Sequence, residues 1–419
     1  MKVGDDRLGL LLYADDVVLL SESSEDLQRM LDITTEYGMD FNVKFSSEKS
    51  QVMVVNGEEI DKERTWTLAG EGITRTRQYK YLGMRVDEKG CEGTKDERIA
   101  RANQWWGRLG SVARCRANKY EVVRGVWKGM AVPSLLYGLE TIPWTVKDID
   151  KLEMVQRRVG RLTLGANKYV AVEAIRGDMG WSTFKERIDK GILGYILRLE
   201  EMEERSWARK VYEFSKDGSR WSKMCRRLER RYDGQIRLGR QEVREGGTTR
   251  MKREINKCVQ RKGWEEWRQG MREKTTLEWY RTKEVPGREW LYDGSLGGDL
   301  IFKARTKSLE LNSRVYRWRN EGSSLCRMCE AGVDETVDHL LLECVCYDAE
   351  RNEMVEGIDE EVGRGEWGRL QALGNGRVIE ALLGLSDSKA WNNATGRVKE
   401  YLERVWRKRS QRVETANPE

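Results

Sequence analysis

The chain has 419 residues, which at roughly 150 residues per domain leaves room for about two to four domains. Charged residues make up 35% of it, above the usual ~25%, yet the net charge is only +6. The excess is concentrated: residues 205–274 hold 22 Lys and Arg against 10 Asp and Glu, so one stretch is built to meet an anion. No apolar run approaches the ~18 residues of a membrane span. Asp5 and Asp6 ahead of a short apolar run exclude a secretory signal. Eight cysteines are too sparse for a disulfide scaffold and suit a reducing compartment, so the protein is expected inside the cell and not secreted. A single histidine argues against His-based catalysis and multi-His metal sites.

In chain order, Leu8–Tyr13 and Val17–Leu20 are short aliphatic runs separated by Ala14-Asp15-Asp16, the pattern of two buried strands of a hairpin. Ser24 and Glu25 open a helix through Leu27, Met30, Leu31 and Thr34 that ends near Gly38. Gln51–Val55 and Tyr81–Val86 are further strand candidates. Beyond them the period becomes helical: Ile99, Ala102, Trp106, Leu109 and Val112, then Leu152, Val155, Val159 and Leu162. A third stripe, Phe184, Ile188, Ile192, Tyr195 and Leu199, follows a capping box of Thr183 and Glu186. These stripes read as packing core. The basic stretch interleaves Arg and Lys with Trp207, Trp221, Tyr232, Trp264, Trp267 and Trp279, and its glycines predict loop or linker in part. Ala394, Val398, Tyr401, Leu402 and Val405 line one face of a C-terminal helix.

Three constellations carry chemistry. At Tyr13-Ala14-Asp15-Asp16, two carboxylates at a turn repel one another unless a cation neutralises them. A hard ion such as Mg²⁺ takes oxygen ligands and bridges substrate phosphates, as two-metal phosphoryl transfer requires; the plainer reading is an exposed turn of solvated acids. The second is Cys326-x2-Cys329-x9-His339-x4-Cys344, a spacing suited to tetrahedral Zn²⁺, with the only histidine where a fourth ligand is needed beside the three cysteines. Cys346 is near enough to compete. Four protein ligands close such a site, so it is structural or nucleic-acid-binding rather than catalytic. Cys91, Cys115, Cys225 and Cys258 read as packed thiols. The third is the basic stretch, whose densest cluster is Arg226, Arg227, Arg230 and Arg231; cations with aromatic platforms hold single strands without sequence preference.

Leu12-Tyr13-Ala14-Asp15-Asp16-Val17-Val18-Leu19 resembles the catalytic hairpin of reverse transcriptases, in the form typical of non-LTR (LINE-type, jockey-like) retrotransposons. Gly38-Met39-Asp40-Phe41-Asn42 with Glu48-Lys49-Ser50 resembles the next motif, and Tyr79-Lys80-Tyr81-Leu82-Gly83 the primer-grip segment. Pro133-Ser134-Leu135-Leu136-Tyr137-Gly138-Leu139-Glu140 resembles a stretch of the helical thumb and connection, and Glu335–Cys344 resembles the zinc knuckle near the C-terminus of such proteins.

The resemblance implies an α+β fold: a truncated palm with a small antiparallel sheet (1–92), a mainly helical thumb and connection (93–204), a basic nucleic-acid-facing region (205–320), a CCHC zinc knuckle (321–351) and a helical tail (352–419). It implies that Asp15 and Asp16 hold Mg²⁺, that Lys49 is a proton donor to the pyrophosphate, and that Tyr13 and Ala14, with Tyr81, Leu82 and Gly83, meet substrate and primer. The implied partners are an RNA template, a DNA primer or target and dNTPs, within a cytoplasmic or nuclear ribonucleoprotein. Such enzymes carry fingers and an earlier palm Asp ahead of the hairpin, whereas only fourteen residues precede Asp15. Asp5 and Asp6 are too far along the strand to share paired metals. The expected product is therefore a C-terminal portion of an RNA-directed DNA polymerase, inactive alone. No nuclease signature follows Cys344. The alternative is a non-enzymatic zinc-knuckle RNA- or DNA-binding remnant, and a third possibility is the product of a decaying element with no role.

Overall fold

The computed structural model describes residues 1–57, 64–88, 90–114, 118–232, 236, 238, 247–320, 322–385 and 389–416. They form two compact units, each assembled from separated stretches: Met1–Ala102, Leu135–Ile149 and Arg187–Val259 in the first, and Asn103–Ser134, Asp150–Glu186 and Gln260–Glu419 in the second. Among the described residues strands are confined to the first 90 positions and the rest is mainly helical, so the α+β class holds. Cys115 and much of the 233–246 linker lie outside the described residues.

The first unit opens with β1 (Lys2–Val3) paired antiparallel to β2 (Asp6–Arg7), then β3 (Leu10–Tyr13) paired to β4 (Asp16–Leu19). The hairpin forms where expected, but its strands are not buried: Tyr13 is 62% and Leu12 66% exposed. Its sheet has only two strands among the described residues, and a two-stranded ribbon has too few neighbours to cover its faces. Helix α1 (Ser24–Asp40) is capped by Ser23, whose hydroxyl accepts from Asp26 N–H, and acidic Glu25 and Asp26 suit its positive end. Leu31 of α1 packs with Val52, Trp66, Leu68 and Ile73 from β5 (Gln51–Val52), β6 (Trp66–Leu68) and β7 (Glu71–Arg75), a mixed sheet in the order β5-β7-β6.

Two strand expectations shift. β5 stops at Val52, three residues short of Val55. The run Tyr81–Val86 is not one strand but the tip of a hairpin, β8 (Gln78–Tyr81) against β9 (Met84–Asp87). Leu82 and Gly83 both have positive φ, 46° and 76°, which reverses the chain in two residues as primed turns do.

The second unit is helical. Its core joins Leu300, Ile301, Leu340, Tyr347, Ile358, Val378 and Leu382 to the predicted stripe Ala394, Val398, Tyr401, Leu402 and Val405. The Lys389–Ala416 helix carries that stripe and packs on the Asp348–Val362 and Leu296–Arg305 helices. The approach is closest at Gly297, where a side chain would stand 2.9 Å from Lys399 Cα. The capping box also forms: Glu186 N–H donates to Thr183 Oγ1 (3.1 Å) and Thr183 N–H to Glu186 Oε2 (2.9 Å).

At the centre lies a buried ion cluster. Asp178 and Arg305 are 0% exposed, and Arg305 Nη1 donates to Asp178 Oδ2 at 3.0 Å. Lys283 donates to the other carboxylate oxygen (3.1 Å), and the hydroxyls of Tyr280 and Tyr292 also donate to Asp178. Arg305 uses its remaining N–H groups on the carbonyls of Leu383 (2.6 Å) and Gly384 (2.7 Å). Burial alone would raise the Asp178 carboxyl, but Lys283 and Arg305, with the two tyrosines, hold it below the usual carboxylate range.

A carboxyl depressed in the folded state stabilises above its unfolded value of ~3.9, and that contribution is lost as pH falls through the folded value. Asp178→Asn leaves two buried cations short of a charge and should cost about 3–5 kcal/mol in denaturant unfolding at pH 7. The loss should shrink as pH falls below about 4, where the unfolded chain's carboxyl takes up its proton, and vanish once the folded carboxyl is protonated too.

Candidate functional site

The β3–β4 connection is a two-residue turn of Ala14 and Asp15, since Tyr13 pairs with Asp16. Ala14 has φ 53°, a left-handed conformation costly for a residue with a Cβ. Asp15 in the turn and Asp16 and Tyr13 at its two shoulders are all exposed. Among the described residues neither carboxylate forms an ion pair, and no third His, Cys, Asp or Glu completes a metal-binding group with them. Two carboxylates match the protein's usual share of a Mg²⁺ site, the rest coming from waters and substrate phosphates. Asp6 is engaged elsewhere, 2.7 Å from Lys210. Lys49 is exposed in a turn whose backbone is held by Ser46, and no contact joins it to Asp15 or Asp16.

The structure does bring two sequence motifs together. Tyr137 Oη donates to Leu82 O (3.1 Å), and the Tyr137 ring lies against Gly83, 3.3 Å from where a Cβ would stand. Arg98, 1% exposed, donates to the carbonyls of Gly83 (3.1 Å) and Tyr137 (3.2 Å). Burial lowers its pKa, and its retention there is explained by the two carbonyls it bridges. The Tyr81-Leu82-Gly83 turn is thus fixed by a residue that sequence reading missed. Its signal was the i, i+4 series Thr94, Arg98, Ala102, all buried, in which polar residues extend an apolar stripe. Arg98→Ala should destabilise the first unit by about 2–3 kcal/mol in denaturant unfolding, with hydrogen exchange rising first around residues 78–87.

On the Arg220–Arg231 helix, Arg226, Arg227 and Arg230 are exposed, whereas Arg231 is half-buried with its Nε 3.6 Å from Asp189. The aromatic residues of the basic stretch serve mainly as core: Tyr232, Trp267 and Trp279 are buried, and Trp221 donates to Glu140 O (2.8 Å). Their apolar faces gain more from burial than from standing in water beside the cations.

Cys326, Cys329, His339 and Cys344 converge, with their four ligand atoms within 4.8 Å of one another. Cys326 Sγ to Cys344 Sγ is 4.0 Å and Cys329 Sγ to His339 Nε2 is 3.4 Å. Bond lengths of about 2.0–2.3 Å to a tetrahedral Zn²⁺ place ligand atoms roughly 3.5–3.8 Å apart, so the residues fit zinc. Cys346 is outside the group, its thiol donating to Met328 O (3.0 Å). The knuckle turn needs left-handed backbone at Glu330 (φ 55°) and Gly332 (φ 70°), and Cys326 N–H then donates to Val333 O. His339 begins a π-helical turn, His339–Glu343, and its buried Nδ1 lacks a hydrogen-bond partner, with Glu343 Oε2 3.6 Å away. A ligating histidine commonly orients its free ring nitrogen on such a carboxylate. Around the cluster, Arg409 grips Glu335 with two bonds (2.7 and 2.8 Å), Arg351 donates to Cys344 O, and Tyr401 to Leu340 O.

Burial pushes the Cys326 and Cys344 thiols up. Cys329 is also raised by burial, but the Ala331 N–H and the neighbouring thiols more than offset this and hold it low. Zinc must displace the thiol protons, so affinity should fall as pH drops from 8 to 5.5 in a competition titration with a chromogenic chelator. Elemental analysis should find one zinc per chain, and Cys344→Ser should lower affinity at least tenfold.

No curated protein matches the chain. Residues 4–86 match the family described as reverse transcriptase (RNA-dependent DNA polymerase), a span that contains the β3–β4 hairpin, α1, the mixed sheet and the β8–β9 hairpin up to its last residue.

Proposed function

We propose that this chain works in template-directed DNA synthesis on RNA, as part of a non-LTR, LINE-type reverse transcriptase. The reading rests on one observation: within the matched span, a tight hairpin turn presents Tyr13, Asp15 and Asp16 together to solvent. In this role Asp15 and Asp16 would hold Mg²⁺ between the chain and a nucleotide's phosphates. Bound there, the ion supplies charge neutralisation for transfer of a nucleotidyl group to the primer 3′-OH. Tyr13 and Ala14 line the primer end, while the Leu82–Gly83 turn, fixed by Arg98 and Tyr137, supports the primer strand. Lys49 serves as the proton donor to pyrophosphate. The zinc-binding cluster holds the second unit's nucleic-acid surface in shape. Exposed Arg226, Arg227 and Arg230 neutralise phosphates.

With two carboxylates in the site among the described residues, a two-metal reaction lacks a ligand, so the chain by itself should bind primer–template without extending it. Manganese relaxation measured on a chain–primer–template–dNTP complex should show bound ion, and Asp15→Asn with Asp16→Asn should abolish it. Absence of ion in the native chain would overturn the metal assignment. Extension of a DNA primer on an RNA template, abolished by Asp15→Ala, would overturn the claim of incompleteness. Replacing Arg226, Arg227 and Arg230 by Ala should reduce the salt slope of duplex binding by about 2–3; an unchanged slope would remove them from the interface.

A further inference from the structure

In the second unit, a groove enclosing about 420 Å³ lies against residues 336–338, which lead into His339. Its rim carries an aromatic pair, Tyr169 and Trp318, in edge contact with ring centroids 4.2 Å apart. A core pair of this size would be covered, yet these rings are 55% and 54% exposed. Trp318 sits on the Asn312–Arg319 helix, which buries no residue and contains Arg314, Arg317 and Arg319 but no acid. Arg317 and Arg319 are exposed and form no ion pair among the described residues, while Arg314 lies over the Trp318 ring at 5.3 Å. Lys168 lies over Tyr169 at 4.8 Å. The platform is fixed in place: Glu335 accepts from Asn312 N–H (2.7 Å), Ser313 Oγ donates to Glu335 O (2.6 Å), and Arg314 donates to Lys307 O (2.7 Å).

We propose that this groove is a stacking site for an unpaired base of single-stranded RNA, with Tyr169 and Trp318 as the platform and Arg317 and Arg319 on the flanking phosphates. Base–aromatic stacking beside unpaired cations is the chemistry by which single strands are held. A protein partner would use the aromatic rings but would leave two unpaired arginines to find acids, whereas a polynucleotide supplies an anion at every residue. The groove wall also carries the carboxylates of Glu278 and Asp338, with Lys307 paired to Glu278. A carboxylate is an acceptor poorly suited to phosphate and well suited to a 2′-hydroxyl donor, which selects ribose over deoxyribose. The site deepens the proposed function, resting on that reading only in supposing that the chain handles RNA.

The test is fluorescence anisotropy of a labelled 12-nucleotide oligouridine with the full, zinc-loaded chain, without primer, dNTP or Mg²⁺. Trp318→Ala and Tyr169→Ala, both at exposed positions, should each weaken binding about tenfold, with Trp318→Phe largely restoring it. Arg317→Ala and Arg319→Ala should each reduce the salt slope by about 0.7. Oligouridine affinity unchanged in Trp318→Ala would overturn the site, as would equal affinity for an abasic oligomer, which would indicate charge alone. Equal affinity for the deoxyribose 12-mer would overturn the choice of RNA. Because nothing in this assay requires polymerisation or ion at Asp15, its failure and that of the polymerase reading are separable.

Discussion

The helical second unit depends on one buried carboxylate. Asp178 is a charge wholly removed from water, and it is tolerable only because two cations and two tyrosine hydroxyls surround it. The four partners arrive from three stretches of chain: Tyr280 and Lys283 from a 3₁₀ segment and its exit, Tyr292 from a loop, Arg305 from a helix end. Arg305 extends the linkage to the carbonyls of Leu383 and Gly384, and Tyr120 Oη reaches the Asp178 carbonyl (2.8 Å). An apolar core sets distances loosely, whereas this arrangement leaves few alternative partners and so specifies one packing of helices. The Cys/His module sits on the core so specified and is held there by Glu335 and Arg409.

The sequence revealed unequal parts of this. Helical stripes such as Ala394 to Val405 were legible because burial of a periodic apolar face is a local property of the chain. The Cys/His group was legible because its ligands lie within nineteen residues and their chemistry is restrictive. Turn positions with positive φ at Ala14 and Leu82 were not, because neither residue type favours that conformation; strand pairing imposes it. The burial of β3 and β4 was misjudged for a related reason, since an aliphatic run indicates what a strand could cover and not what is there to cover it. Asp178 was invisible as a buried charge because nothing local distinguishes it from a solvated one, whereas the place of Arg98 in line with an apolar stripe was its single hint.

The two regions also treat aromatic residues in opposite ways. In the Arg-rich 205–290 stretch the large rings are mostly spent on packing, and the arginines are left as the surface. On the short Asn312–Arg319 helix, which has no apolar face to bury, the tryptophan stays in solvent beside its arginines. Net charge alone would have pointed to the first stretch for both roles, and burial separates them.

The spacing of the Asp178 cluster has a consequence for how the protein is made. Arg305 follows Asp178 by 127 residues, which at about 5–20 residues per second is a wait of roughly 6–25 s on the ribosome. Until Lys283 emerges, 105 residues after Asp178, the carboxylate has no counter-charge from this cluster and must remain hydrated, so the helix that bears it cannot commit to its final packing. Tyr120 waits longer still, for the Glu289 amide 169 residues on. The second unit must therefore condense late, after most of the chain has emerged, and its apolar faces are exposed to chaperones until then.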